Sequence, residues 1–154
     1  MYLLSPTPRG SLVFLALVLL TSSTSGFAAL GGDVSSIQAD QAHMRAQRRI
    51  TQTSAYSLHE MQAQSGTVVR EFVSPQGKVF GVSWHGSTIP DLQQLLGSYY
   101  AEFVHAAPVR RSHGPVSIQT PNFIIQSGGH QRALAGRAYV PEMLPEGVRA
   151  EEIQ

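Results

Sequence analysis

No cysteine occurs anywhere in the 154 residues. That excludes disulfide staples, a thiolate nucleophile and a zinc–sulfur centre. It also excludes a lipid anchor on an N-terminal cysteine. Charge is sparse as well, at 14% of residues, and the net charge is only +1. Nucleic-acid binders usually carry a strong basic excess, so that class is set aside. Past the N-terminus no apolar run approaches the roughly 20 residues of a membrane-spanning helix. The glycine patterns of a P-loop or a Rossmann turn are missing too.

What is there begins with an export signal. Arg9 is the only charge before Asp33, and residues 12–20 (LVFLALVLL) form an unbroken apolar run. The stretch TSSTSGFAA follows, with Gly26 and Ala28 spaced as signal peptidase requires. Residues 1–28 therefore read as a cleavable signal peptide, cut between Ala28 and Ala29. The pairs Arg48–Arg49 and Arg110–Arg111 lie far from the N-terminus, which points to the general secretory route and a periplasmic or secreted protein. Removing Arg9 leaves acids and bases in balance. Residues 29–140 are long enough for one domain with its own core. Residues 141–154 are rich in acid and turn residues and read as a mobile tail.

The expected class is α+β: an antiparallel sheet of five or six strands, with one amphipathic helix on a face and a peripheral N-terminal helix. ALGGD at 29–33 reads as a flexible lead-in. Ser35, Ser36, Ile37 and Gln38 match a capping box, opening a helix to about Arg49 with Arg45, Arg48 and Arg49 at its negative end. Residues 55–62, 67–73 and 78–84 alternate as strands and form a three-stranded meander. The turn Ser74-Pro75-Gln76-Gly77 joins the last two. Phe80, Val82 and Trp84 share one face.

Thr88-Ile89-Pro90-Asp91 is a helix start. Leu92, Leu95, Leu96, Tyr99 and Phe103 follow at helical spacing and are expected to pack on the Phe80/Val82/Trp84 face. Gly97 inside that stripe implies a close backbone approach. Residues 109–114 (VRRSHG) read as a polar loop. Strands follow at 116–119 and 122–127, then a hairpin turn at Gly128–Gly129 and a returning strand at 131–140.

The chemistry-bearing residues fail the familiar templates. His59-Glu60 begins an HExxH motif, but Ala63 stands where the second histidine belongs. Gly81-Val82-Ser83-Trp84-His85 lacks the final glycine of a nucleophile elbow. The six histidines (His43, His59, His85, His105, His113 and His130) include no HxH or HxxxH pair, so no metal or other cofactor is indicated. His85 and Asp91 remain the candidates for catalysis, beside Trp84. Against that reading, Trp84 serves as core, Gly86 as turn and Asp91 as cap. Trp84, Tyr100, Arg110 and Arg111 are the candidates for binding, against buried or solvated roles for each.

Val69-Arg70-Glu71, Pro75, Gly77, Trp84, Gly86, Pro90-Asp91-Leu92 and Leu95-Leu96-Gly97 carry a resemblance. So does the opening ALGGDVSSIQADQ. Together they resemble a bacterial family of short exported proteins of unknown function, domain-of-unknown-function family 2844, over most of the chain up to Val104. The resemblance implies export and a single domain, and brings no activity or site residue.

These features favour a non-enzymatic module of the cell envelope that binds another protein or a surface polymer. A small hydrolase using His85 and Asp91, or a metal- or small-molecule-binding protein, is the alternative. Mass spectrometry of the exported protein should find a chain beginning at Ala29; a product that keeps residues 1–28 would mean a permanent anchor instead.

Overall fold

The computed structural model describes residues 29–108 and 115–154. Residues 1–28, read above as a signal peptide, and residues 109–114, read above as a polar loop with Arg110, Arg111 and His113, lie outside the described residues. The architecture is α+β, and among the described residues one antiparallel sheet has seven strands. They are β1 (Gln47–Gln52), β2 (Ser57–Gln62), β3 (Val68–Val73), β4 (Val79–Gly86), β5 (Val116–Gln119), β6 (Ile124–His130) and β7 (Ala133–Tyr139). Their order is β1-β2-β3-β4-β7-β6-β5. The pairing of β4 with β7 therefore joins an N-terminal half to a C-terminal half.

The seventh strand is β1, which the sequence presented as the end of a helix. Helix α1 (Ile37–Met44) stops early because Arg45 turns left-handed, at φ 48° and ψ 41°. Residues 47–52 then pair along their whole length with β2. Six residues of ladder outweigh the modest helix propensity of QRRITQ. Arg48 and Arg49 are consequently strand residues on opposite faces, not a helix-end cluster. The expected capping box is absent as well. Ser36 makes no side-chain cap, and its hydroxyl bonds the Asp33 carbonyl instead.

The lead-in is packed rather than flexible. Leu30 is buried, and its N–H donates to the Leu95 carbonyl at 2.9 Å. Gly31 and Gly32 exchange hydrogen bonds with Val79 at 2.8 and 2.9 Å. On this side of the sheet, Leu30, Ile37, Met61, Val69, Val82, Trp84, Leu95, Leu96, Phe123 and Ile125 form the main core. The second helical stretch is broken into α2 (Leu92–Leu96), one 3-10 turn and α3 (Tyr100–Ala106). Gly97 sits at the break with φ 51°, and a Cβ there would lie 2.1 Å from that of Ala29. The close approach is to the N-terminal segment, not to the sheet.

Phe80 does not share a face with Val82 and Trp84. Val73 pairs with Val79 but Phe72 pairs with Gly81, so Phe80 is the extra residue of a β-bulge. It turns to the opposite face and joins Phe72, Tyr139, Val148 and Ile153 in a second core. Gly128 and Gly129 likewise lie inside β6, and the chain reverses at Gln131–Arg132, where Arg132 has φ 68°.

Residues 141–154, expected to be a mobile tail, fold back over this second face. Ile153 is completely buried and fills the space left by Gly81, where a Cβ would come within 2.8 Å of it. The acidic composition concealed two apolar anchors, Val148 and Ile153. Replacing Ile153 by Ala should lower the unfolding free energy by about 2–4 kcal/mol, read from urea denaturation. An unchanged urea midpoint would mean the segment is not part of the core.

Candidate functional site

The strand register sets a polar row across the tail-covered face. Glu60 stands opposite Arg70, Arg70 opposite Ser83, and Ser83 opposite Arg137. Gln126 and Ser117 continue the row on β6 and β5. The two guanidiniums are held in place. Arg70 donates to Glu60 at 2.8 Å and to the Gln154 carbonyl at 2.9 Å. Arg137 donates to Gln126 at 2.9 Å and to the Ala150 carbonyl at 2.8 Å. The Arg137 guanidinium carbon also lies 5.9 Å from the centre of the Tyr139 ring.

The next row along the strands is low-walled: His85, Ala135 and Gly128 follow one another across it. Together the rows floor an open groove of about 980 Å³, bounded by Pro115 on one side and by Glu151, Ile153 and Gln154 on the other. Small residues at Ala135 and Gly128 let the floor dip. The arginines, His85, Ser117 and Gln126 offer directed donors around it. Such a groove suits an extended, oxygen-rich or anionic ligand lying across the strands.

A second cleft of about 600 Å³ lies between the lead-in and the two helices, lined by Leu30, His43, Asp91, Gln93 and Gln94 among others. Asp91 thus faces this cleft, while His85 faces the groove. The structure does not bring His85 and Asp91 into one cavity. One carboxylate oxygen of Asp91 accepts the N–H groups of Gln93 and Gln94, at 2.9 and 3.2 Å, and so caps α2. Trp84 is buried at 2% exposure. Its indole covers Gly136, where a Cβ would lie 2.2 Å from the ring. Its Nε1 meets no acceptor. Tyr100 is half-buried against Phe103, ring centres 6.0 Å apart. Arg110 and Arg111 lie outside the described residues.

Sequence reasoning missed a polar cluster inside the main core. Asp40 of α1 and Glu71 of β3 are both at 0% exposure, with His59 of β2 and Gln94 of α2 buried beside them. The Gln94 amide donates to the Asp40 carboxylate. Burial, and the nearby Asp40 charge, push the Glu71 carboxyl well above its ordinary range; Arg48 pulls the other way. Burial and Arg48 hold His59 below its ordinary value. One signal was legible: Glu71 occupies the same alternation as Val69 and Val73, where an apolar residue is expected. No group of three or more His, Asp or Glu side chains suited to a metal ion occurs among the described residues.

The fold and groove define a small α+β domain with a ligand-sized concavity on its sheet. The chain belongs to the family described as protein of unknown function (DUF2844), whose model matches residues 26–153. No curated protein and no solved structure matches it.

The cap on α2 has a measurable weight. Asp91→Ala should destabilise the fold by about 1 kcal/mol, seen as a lower urea midpoint; no change would show that the two N–H groups find water equally well.

Proposed function

We propose that the protein is an exported, non-enzymatic binding module of the cell envelope, and that its ligand lies in the groove over β4, β7, β6 and β5. Export is supported by the signal-peptide pattern of residues 1–28. The binding reading is carried by one observation: Arg70 and Arg137, each fixed by two hydrogen bonds, border an open floor with His85, Ser117 and Gln126. Preorganised donors of this kind lose little entropy when they take up oxygen atoms of a ligand. The favoured partner is an acidic polymer of the cell surface. A protein partner would present an acidic extended segment to the same donors. The hydrolase reading, with His85 and Asp91 acting together, is weakened because the two residues line different cavities.

The test uses polygalacturonate as an anionic probe and dextran as a neutral one, with affinity measured by calorimetry on the purified protein. Polygalacturonate should bind and dextran should not. The double variant His85→Glu/Ser117→Asp places two negative charges on exposed parts of the floor. It should weaken binding at least about tenfold, since like-charge juxtaposition costs several kcal/mol, and should leave the melting temperature unchanged. Equal affinity of variant and wild type would remove the groove from the reading. Absence of polygalacturonate binding would remove the acidic polymer.

A further inference from the structure

Strand β1 lies at one end of the sheet, and among the described residues nothing pairs with its outer edge. Its register with β2 is unbroken over six residues. Thr53 sets the phase of that ladder, since its N–H donates to the Tyr56 carbonyl at 2.9 Å. Hydrogen-bonded pairs recur at every second residue of an antiparallel ladder. Gln47, Arg49 and Thr51 therefore bond inward to β2, while Arg48, Ile50 and Gln52 carry their N–H and C=O groups outward. The side chains alternate as well. Arg48 and Ile50 stand in line with the buried Met61 and His59, and Arg49 stands in line with Glu60 on the other face.

An open edge is a template for another strand, and proteins commonly blunt one with a bulge, a proline or short length. The opposite edge, β5, has only four residues and no charge. Charge is what β1 has, and all of one sign. Between Asp40 and Glu60 the chain carries no acid, but it carries Arg45, Arg48 and Arg49. Arg45 and Arg49 are exposed. Arg48 is half-buried and lies near enough to act on the Glu71 carboxyl. None of the three belongs to either ion pair found among the described residues. Glu60, opposite Arg49, is engaged with Arg70 at 2.8 Å. Beside the arginines, Ile50 leaves an apolar side chain 47% exposed.

We propose that the outer edge of β1 docks an acidic, extended segment of another polypeptide as an eighth strand. The backbone groups of Arg48, Ile50 and Gln52 supply the ladder, and the side chains supply the choice of partner. Running antiparallel, the segment sets an apolar residue opposite Ile50 and then acids opposite Arg49 and Arg48. Those two acids fall on opposite faces of the sheet, so each guanidinium meets its own carboxylate. Opposite charges in cross-strand pairs stabilise, and like charges destabilise. A second copy of this chain is the wrong partner by the same rule, because its β1 would bring four guanidiniums into one ladder. The edge is thus closed to itself and open to an acidic strand. The groove over β4, β7, β6 and β5 is a separate place.

The test uses the purified, isotope-labelled protein and two synthetic threonine-rich peptides, one centred on Val-Glu-Glu and one on Val-Lys-Lys. The acidic peptide should shift the NMR amide signals of Arg48, Ile50 and Gln52 and slow their exchange. Raising salt to about 0.5 M should weaken its binding several-fold. The lysine peptide should leave the edge unchanged. Ile50→Pro removes an outward N–H and no bond to β2, so the fold should persist and the acidic peptide should no longer bind. Arg49→Glu should weaken the acidic peptide at least about fivefold and admit the lysine one. If Ile50→Pro does not fold, Arg49→Glu decides alone. Equal binding of both peptides, no edge shift with the acidic one, or shifts confined to the groove around His85 and Ser117 overturns the proposal. So does exchange at Ile50 that slows with rising concentration of the free protein, which would mean that a second copy fills the edge.

Discussion

Strand β4 is paired on both edges and covered on both faces, so Val79 to Trp84 are all buried. That double enclosure dictates much of the rest. The helix side must supply apolar cover for Val82 and Trp84, and Leu30, Leu95 and Leu96 do so. The other side must accept Phe80, and the bulge that aims it there brings Gly81 under Ile153. Close packing on both faces leaves little room for a side chain at two further places. One is Gly136, beneath the indole of Trp84; the other is Gly86, where a Cβ would lie 2.7 Å from the Thr67 backbone. Among the described residues, the N-terminal and C-terminal halves of the sheet are hydrogen-bonded through the pairing of this strand with β7.

Two polar systems are built on opposite faces of the sheet, and they solve burial differently. On the tail-covered face both arginines are half-buried; the side chains of Arg70 and Glu60 are at 30% and 31%. That pair joins β2 to β3 and contributes about 0–1 kcal/mol; the C-terminal segment is buried through Ile153 and Val148 and tied to the two guanidiniums by the Gln154 and Ala150 carbonyls. Under α1 no solvent is available: Asp40 accepts from the Gln94 amide, and burial itself pushes the Glu71 carboxyl well above its ordinary range.

The strands β2, β3 and β4 were legible because alternation and the Ser74–Gly77 turn signal agree with each other. The α2 start was legible because Asp91 does by hydrogen bonding what its position suggested. Residues 47–52 were misleading, since QRRITQ carries little apolar signal and becomes a strand only by pairing with β2. The bulge at Phe80 is invisible to a period-two pattern, which assumes an unbroken ladder. The C-terminal segment was misjudged by composition, because two well-placed apolar residues outweigh four glutamates. At the candidate site the sequence supplied His85 but not its neighbours. Arg70, Arg137, Gln126 and Ser117 meet only through the register of five strands. The resemblance carried by the pieces from Val69 to Gly97 and by the ALGGDVSSIQADQ opening pointed to the family, whose match covers residues 26–153 and so takes in the C-terminal segment as well.

Trp84 is the single tryptophan of the chain, and it lies over Gly136 at the seam between the two halves of the sheet. Its indole nitrogen has no hydrogen-bond partner and its ring is surrounded by apolar side chains. The emission of the folded protein therefore reports on one place only. Its fluorescence would register separation of β4 from β7 as a shift to longer wavelength, and, because Trp84 also lines the groove, would respond to what happens there, while staying silent when the outer edges of the sheet rearrange. The protein thus carries a built-in optical gauge of whether its two halves are joined.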